Sequence, residues 1–495
     1  MTSLRSSTGV PGLDDILDGG LVRDRLHLLE GLPGTGKTTL GLQFLLAGRK
    51  AGERLLYVSM SETRREIEAA AATHHWSLDG IEIFELAPPG MEEDASRQTL
   101  FHSSEVELSE TMRLLIDKIE SVDPQRLVLD SLSEMRLLAQ SPLRYRRQIF
   151  GLKYFLGQRN ATVLLLDDMT GDGHDLQLHS LAHGVITLQQ LALDYGAERR
   201  KLRVTKMRGV RFRGGYHDYI IRTGGIDVFP RLVAAEHPGS FPHDVVASGA
   251  TGLDSLLGGG LRRGTSALLM GPAGSGKSSI ALSFAYHAAE RGECPALFAF
   301  DEGRNSILDR ARGLSMDIGP MIEAGTLRLF QINPAEMSPG EFTALVRKSV
   351  SESDSKLVVI DSLNGYLHAM PDERYLALEM HELLTFLNQQ GAVTLLTIAQ
   401  HGLLGSMSSP VDLSYLSDAV LLLRFFEASG KIRKAISVIK KRVGAHEDTI
   451  REFRLSNEGL TVGEPLVEFH GIMTGVPTYQ GGERLLRTTR ADAAS

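Results

Sequence analysis

The sequence predicts an α/β fold in two similar halves, each a mostly parallel sheet flanked by helices. The segment GVPGLDDILDGGL at 9–21 recurs as GATGLDSLLGGGL at 249–261, and GLPGTGKT at 31–38 recurs as GPAGSGKS at 271–278. Both recurrences are 240 residues apart (249 − 9 and 271 − 31). A period this long indicates duplicated domains rather than a solenoid, and 495 residues exceed one ordinary domain.

Within each half, continuous apolar runs alternate with stretches of helical spacing. In the first half the runs lie at 26–30, 54–58, 127–130 and 162–166. Continuous apolar strands separated by helices are typical of a parallel sheet that is covered on both faces. Each half is expected to end in β structure, around 201–221 and 434–455.

The domain boundaries follow from the repeat. The first domain is assigned to 1–228, a linker to 229–246, the second domain to 247–476 and a flexible C-terminal tail to 477–495. The linker is placed where Pro230, Pro238, Gly239 and Pro242 interrupt the pattern.

Composition narrows the class of protein. A hydrophobic fraction of 42% and a charged fraction of 23% are those of a soluble globular protein. The net charge of −8 offers no general reason to bind nucleic acid or a membrane surface. Cys294 is the single cysteine, which favours a reducing cytoplasm. No uncharged apolar run reaches the ~18 residues of a membrane helix.

Both glycine loops match the pattern G-x-x-x-x-G-K-[ST] in full. Their glycines let backbone N–H groups turn toward phosphate oxygens, and the following helix adds its positive N-terminus. We expect Lys37 and Lys277 to reach the β and γ phosphates of ATP, and Thr38 and Ser278 to ligate Mg²⁺. The loop residues assigned to ATP binding are Gly31, Gly34, Thr35, Gly36, Lys37, Thr38 and Thr39, and Gly271, Gly274, Ser275, Gly276, Lys277, Ser278 and Ser279. Two such loops, each between a strand and a helix, predict tandem RecA-like P-loop NTPase domains.

Asp130 and Asp361 each end an apolar strand and are followed by Ser-Leu. A carboxylate at that point can hold the Mg²⁺ hydration shell beside the hydroxyl of the P-loop. Aspartates at strand ends also cap helices, which is the ordinary alternative.

Glu62 and Glu302 each lie 25 residues after a P-loop lysine (62 − 37 and 302 − 277). A carboxylate there could orient and deprotonate the water that attacks the γ-phosphate; the alternative is a surface glutamate. Asp301 precedes Glu302, whereas Ser61 precedes Glu62. The second half therefore has a pair of acids where the first half has one.

The segment at 199–213 is strongly basic, and a shorter Lys-x-Arg sequence recurs at 440–442. It could contact nucleic acid, form a solvated β-ribbon, or offer Lys206 and Arg208 to nucleotide held by a neighbouring subunit. Recurrence in both halves favours the last interpretation, in which Lys440 and Arg442 act in the same way.

On these residues the chain resembles the KaiC family, the tandem RecA-type ATPases and autokinases of circadian clocks and their non-clock relatives. The resemblance covers both openings, both P-loops, both Asp-Ser strand ends and both Lys-x-Arg ribbons. It extends to TIREF at 449–453 and IMTGVP at 472–477.

The resemblance implies a homohexameric double ring with ATP between subunits. It implies that Glu62, Asp301 and Glu302 are catalytic acids. The residues that it places against ATP from the adjacent protomer are Lys206, Arg208, Lys440, Arg442 and His446. It also implies serine/threonine autokinase activity in the second domain.

The sequence departs from the family at several points. The family's phosphorylated pair falls on Ser414 and Tyr415, so only Ser414 matches as an acceptor. The short tail argues against binding of KaiA, which docks on a longer tail in the family. Extra residues in the first half, near 88–104, could form the loop that a KaiB-like partner contacts, or a variable surface loop.

The sequence thus predicts an ATP-binding and ATP-hydrolysing ring protein with autokinase activity, acting in signalling or clock-like timing. One alternative is an ATP-gated oligomeric scaffold with little turnover. Another is a DNA-dependent ATPase of the recombinase or helicase type, which the acidic balance of charge disfavours.

Overall fold

A computed structural model describes residues 5–86, 103–139, 141–169, 176–193, 195–368, 373–400, 415–428, 430–472 and 478–479. The chain divides into two compact units, Met1–Arg231 and Leu232–Ser495.

The first unit alternates strands with helices along most of its length. Its strands are β1 (Arg5–Ser6), β2 (Leu21–Val22), β3 (Leu26–Gly31), β4 (Leu55–Ser59), β5 (Glu82–Glu85), β6 (Arg126–Asp130), β7 (Thr162–Asp167), β8 (Gly184–Leu191), β9 (Arg199–Met207), β10 (Tyr216–Arg222) and β11 (Gly225–Phe229). Its helices are α1 (Pro11–Ile16), α2 (Lys37–Lys50), α3 (Arg64–Thr73), α4 (Ser103–Val122), α5 (Leu132–Ala139), α6 (Pro142–Leu156) and α7 (Leu176–Leu181).

Among the described residues of this unit, nine strands form one sheet in the order β11-β10-β9-β8-β3-β7-β6-β4-β5. The strands from β8 to β5 run parallel to their neighbours, and those from β8 to β11 are antiparallel. The predicted β-rich end of the half is this antiparallel ribbon. Because the carboxyl ends of parallel strands meet at one edge, the residues that follow β3, β4, β6 and β7 come together there.

The sheet is buried on both faces. Val128 packs in one apolar cluster with α2, whereas Leu127 and Leu129 pack in a second cluster with α4, α5 and α6. Successive side chains of a strand point to opposite faces, so a strand covered on both sides must be apolar throughout. This explains the continuous apolar runs of the sequence.

The second unit has a similar order of elements. Its strands are β12 (Val245–Val246), β13 (Leu261–Arg262), β14 (Ser266–Gly271), β15 (Ala296–Ala299), β16 (Arg328–Gln331), β17 (Leu357–Asp361), β18 (Val393–Ala399), β19 (Ala419–Ala428), β20 (Lys431–Lys441), β21 (Ile450–Ser456), β22 (Gly459–Pro465), β23 (Phe469–His470) and β24 (Thr478–Tyr479). Its α-helices are α8 (Thr251–Leu256), α9 (Lys277–Glu290), α10 (Arg304–Gly313), α11 (Gly319–Glu323), α12 (Pro339–Ser353), α13 (Leu363–His368) and α14 (Glu373–Gln389), and a 3₁₀ turn spans Ala234–Glu236.

The sheet order of the second unit, taken over its described residues, is β16-β15-β17-β18-β14-β19-β20-β21-β22. Each strand takes the place of its counterpart in the first unit, and the neighbours from β16 to β19 are again parallel. The predicted fold class of two tandem α/β domains is confirmed.

Part of the stretch assigned to the linker packs on the second unit. Leu232 and Ala234 are buried in an apolar cluster with Phe386, and the Ala234 amide donates to the Glu382 carboxylate at 2.9 Å. These contacts join residues 232–236 to α14.

Several sequence features lie outside the described residues. They are the inserted segment over 88–102, the acceptor Ser414 and the tail over 480–495. In the part of the chain that is described, no helix combines the length and the apolar character needed to cross a membrane.

A buried arginine joins the segments behind the first P-loop. Arg126 begins β6 and donates through Nε to the Glu53 carboxylate. Its Nη1 donates to the carbonyl oxygens of Ser7 at 2.6 Å and Phe44 at 2.7 Å. The guanidinium also lies 4.7 Å from the centre of the Phe44 ring. One side chain thus connects the N-terminal segment, α2 and the edge of the sheet.

Replacing Arg126 with leucine, the residue that begins β17 in the second unit, should destabilise the first unit by about 3 kcal/mol, because partners of a buried charge lose their donor. Urea unfolding followed by Trp76, the single tryptophan, reports on this unit. Arg54→Leu removes an exposed ion pair with Asp123 and should cost less than about 1 kcal/mol. An equal loss of unfolding free energy in the two variants would contradict the structural role of Arg126.

Candidate nucleotide sites

Each P-loop joins the central strand to a long helix through a left-handed glycine. Gly31 ends β3 and Lys37 begins α2, and Gly36 between them has φ of 91°. Gly276 precedes α9 in the same way, with φ of 111°. A side chain at either position would strain the backbone, so the loop requires glycine at these points.

Each loop holds its own lysine. Lys37 Nζ donates to the carbonyl oxygens of Gly31 at 2.8 Å and Leu32 at 3.0 Å. Lys277 Nζ donates to Gly271 at 2.9 Å and to the next carbonyl at 2.8 Å. Burial lowers the pKa of Lys277 to about 8, against the attraction of Asp361. Both ammonium groups are therefore positioned inside the loop, where phosphate oxygens could take over as acceptors.

The first strand-end aspartate contacts the P-loop directly. The Thr38 hydroxyl donates to Asp130 Oδ2 at 2.8 Å, and the Tyr57 hydroxyl donates to the same oxygen at 2.5 Å. Burial raises the pKa of Asp130, and these two hydrogen bonds oppose the rise. A hydroxyl beside a carboxylate is a donor set that fits Mg²⁺, which binds through one or two carboxylates and substrate phosphates.

In the second unit the corresponding carboxylate has a different support. Thr397 Oγ1 donates to Asp361 Oδ1 at 2.5 Å, and Ser278 lines one small cavity with Asp361 and Arg310. Among the residues described, no cluster of three or more His, Cys, Asp or Glu side chains could hold a metal by itself. The hydroxyl and carboxylate at each site fit Mg²⁺ that is also bound by substrate phosphates.

The two predicted catalytic glutamates lie beyond the ends of β4 and β15, but their surroundings differ. Glu62 is exposed, and its backbone amide donates to Ser59 Oγ at 3.0 Å. Loss of part of its hydration beside the P-loop raises the pKa of Glu62, and repulsion from Asp130 and Asp168 adds to the rise. Glu302 instead forms an ion pair with Arg310 from α10.

A further acid, which sequence reasoning missed, lies beside the first P-loop lysine. Asp168 Oδ1 is 2.8 Å from Lys37 Nζ. Its Oδ2 accepts hydrogen bonds from Ser131 at 2.9 Å and Ser133 at 2.7 Å. Burial alone would raise the pKa of Asp168, but the hydrogen bonds from Lys37 and the serines lower it. The signal in the sequence was an acidic pair directly after the apolar run at 162–166.

The predicted trans-acting cations of the first unit lie away from their own P-loop. Lys206 pairs with Val185 near the amino end of β8, and its Nζ donates to Ala182 O at 2.9 Å. Arg208 donates to Ser180 O at 2.6 Å. The P-loop follows the carboxyl end of β3, which runs parallel to β8. The two cations therefore lie toward the opposite edge of the sheet.

A third cation joins this pair. Lys153 of α6 lines a cavity of about 290 Å³ with Arg208, Arg25 and His183. Burial lowers the pKa of Lys153 and of Lys206, and repulsion from Arg208 lowers both further. Within the described ranges, none of these three side chains forms an ion pair with a carboxylate.

The second unit repeats the contacts of these cations with carbonyl oxygens, but here Arg442 also lies 3.6 Å from the Asp418 carboxylate. Lys440 Nζ donates to Ser417 O at 2.8 Å, and Arg442 donates to Tyr415 O at 2.7 Å. His446 lies half-buried in the segment between β20 and β21. Both Lys-x-Arg sequences thus end the first strand of an antiparallel ribbon beside the amino end of a parallel strand.

Comparison with known proteins gives a consistent result over both units. A family model described as "ATPase: KaiC" matches residues 6–233 and 246–467. The chain is 26% identical to the circadian clock protein KaiC3 of Synechocystis sp. over 488 residues, which covers 95% of this chain and 94% of that protein. It is also 26% identical to the circadian clock oscillator proteins KaiC of Acaryochloris marina and Synechococcus elongatus, covering 95% of this chain and 91% of each relative.

Gly36→Ala should weaken binding of a non-hydrolysable ATP analogue about tenfold, since strained backbone of this kind costs on the order of 1–3 kcal/mol. The added Cβ would also lie 2.6 Å from Ile221 Cδ1. Equilibrium binding is measured in a Lys277→Ala background, which leaves the first site. Gly52→Ala is the control, because Gly52 has φ of 71° and open space around it. If both variants weaken binding equally, the loop geometry is not the cause.

Proposed function

The chain belongs to the KaiC family of ATPases, and from this premise we propose that it forms a homohexameric ring whose ATP sites are completed by neighbouring copies of the chain. The relatives are named circadian clock proteins, and for this chain we propose a role in signalling or clock-like timing in the cytoplasm.

The position of the Lys-x-Arg sequences carries the proposal. Lys206 and Arg208 contact carbonyl oxygens at the amino edge of the sheet, whereas the P-loop opens at the carboxyl edge. Mutual repulsion among these cations and Lys153 would be relieved by a polyanion from outside the unit. ATP held by an adjacent subunit supplies such a charge, and a heterologous contact of this kind closes into a ring.

Within one first-unit site, each side chain has a separate task. Lys37 would exchange its carbonyl acceptors for phosphate oxygens, and Glu62 would accept a proton from the attacking water. The rise in the pKa of Glu62 makes its carboxylate a stronger base. Mg²⁺, held by Thr38 and Asp130 here and by Ser278 and Asp361 in the second unit, would neutralise phosphate charge.

Arg208→Ala should shift the midpoint of ATP-driven hexamer assembly to about tenfold higher ATP, because a charge-assisted contact to phosphate is lost. Size-exclusion chromatography with light scattering, with and without a non-hydrolysable analogue, measures the assembly. Lys50→Ala removes one exposed charge elsewhere and should leave assembly unchanged. A wild-type chain that stays monomeric in both conditions would contradict the ring.

For the second unit we also propose autophosphorylation, on a specific observation. Arg442 donates to Tyr415 O, and the Arg442 amide donates to Asp418 O at 2.8 Å. The segment that directly follows Ser414 is therefore tied to the trans-acting cations. Ser414 itself lies outside the described residues, but it precedes an anchored residue by one position.

The proposed transfer moves the γ-phosphoryl group of ATP to Ser414. The Ser414 oxygen bonds to the γ-phosphorus of ATP on the adjacent subunit, the bond from that phosphorus to the β–γ bridging oxygen breaks, and ADP leaves. Glu302, beside Asp301, takes the proton of the hydroxyl.

Phosphopeptide mapping after incubation with Mg·ATP should place phosphate on Ser414 and remove it in Ser414→Ala. Tyr415→Phe is the matched control and should keep the phosphate, because the longer tyrosine side chain would overshoot an in-line geometry. Steady ATP hydrolysis by a wild type without phosphate on Ser414 would remove the kinase assignment.

Partners other than the chain itself are proposed by family membership. A KaiB-like protein on the first unit is proposed to contact the inserted segment near 88–104, most of which lies outside the described residues.

A further inference from the structure

The serine after the strand-end aspartate holds an acid in both units, but the acid comes from different strands. In the second unit Ser362 donates to Asp301, which lies two residues after β15. The first unit has Ser61 at that place and no carboxyl group. Its serine, Ser131, donates instead to Asp168 at 2.9 Å.

The sheet order shows that the acid has changed sides. β6 lies between β4 and β7, and β17 lies between β15 and β18. Asp301 follows β15, on one side of β17, whereas Asp168 follows β7, on the other side of β6. Glu30 pairs with Asp167 in the first unit, and its counterpart Met270 pairs with Ile398 in the second. The next residue in the second unit, Ala399, therefore takes the place of Asp168.

The support of the strand-end aspartate has changed sides as well. Tyr57 of β4 donates to Asp130, and its counterpart in β15 is Leu297. Thr397 of β18 donates to Asp361, and its counterpart in β7 is Leu166. In each unit a hydroxyl supports the aspartate from one neighbouring strand while the second acid arrives from the other. The supporting hydroxyl and the second acid have therefore exchanged strands together between the two units.

We propose that Asp168 is the second acid of the first nucleotide site, in the role that Asp301 has in the second, and that it positions the attacking water together with Glu62. This inference rests on the proposed hydrolysis of ATP at the first site. The carboxylate lies 2.8 Å from the P-loop ammonium, at the end of the loop that receives the terminal phosphate. Ser131 and Ser133 hold it there when Lys37 turns to the nucleotide.

The test uses the full chain with Lys277→Ala, so that hydrolysis reports the first site. Asp168→Ala should lower kcat about tenfold or more, in the range of positioned acids and bases, with KM changed by less than about threefold because ATP binding remains. Adding Ser61→Asp, which restores the second-unit arrangement, should recover kcat to within about threefold of the parent. Asp79→Ala, an exposed acid, should have no effect.

Binding of a non-hydrolysable analogue provides a second readout. If Asp168 only restrains Lys37, Asp168→Ala should tighten binding, keep kcat and gain nothing from Ser61→Asp. That result overturns the inference, as does loss of kcat without recovery by Ser61→Asp. If the Lys277→Ala parent hydrolyses no ATP, the proposed function of the first site fails instead.

Discussion

Both nucleotide sites depend on a buried ammonium group that the P-loop holds against its own carbonyl oxygens. For Lys37 and Lys277 these acceptors are carbonyls at the carboxyl end of the central strand. A buried charge must be hydrogen-bonded, so the loop backbone has to turn its carbonyl oxygens toward the ammonium group. The left-handed Gly36 and Gly276 are part of this turn. The site also requires the loop to end a buried parallel strand, because only there do the other carboxyl-end residues converge.

Because the fold is duplicated, each unit can place its second acidic residue on a different neighbouring strand. Strand order is the same in both units, and the parallel strands around the strand-end aspartates pair in equivalent registers. The serine after each strand-end aspartate can therefore reach an acid on either neighbouring strand. The first unit uses Asp168 and the second uses Asp301. In the described part of the chain Glu62 has no ion-pair partner, whereas Glu302 is paired with Arg310. The two sites can therefore differ in rate while their phosphate cradles stay alike.

The sequence predicted features that depend on local spacing or on the repeat. The P-loops, the strand-end position of Asp130 and the fold class are of this kind, since each follows from a short pattern in a strand–helix context. Asp168 and Arg310 were missed because their roles depend on which strands are neighbours and on what an adjacent helix presents. Such contacts follow from register and sheet order, which one sequence does not show directly. The hydrogen bond from Tyr57 to Asp130 was not predicted for the same reason, because in the sequence Tyr57 resembles any other aromatic residue of a buried strand.

Mixing two inactive variants tests most directly whether each ATP site is shared between subunits, as proposed. Both carry Lys277→Ala; one adds Glu62→Gln and the other Arg208→Ala. In a mixed ring, about a quarter of the interfaces would combine an intact Glu62 with an intact Arg208 from the next subunit. ATP hydrolysis should therefore reappear on mixing, although each variant alone is inactive. A mixture that hydrolyses ATP no faster than the separate variants would contradict a site built between subunits.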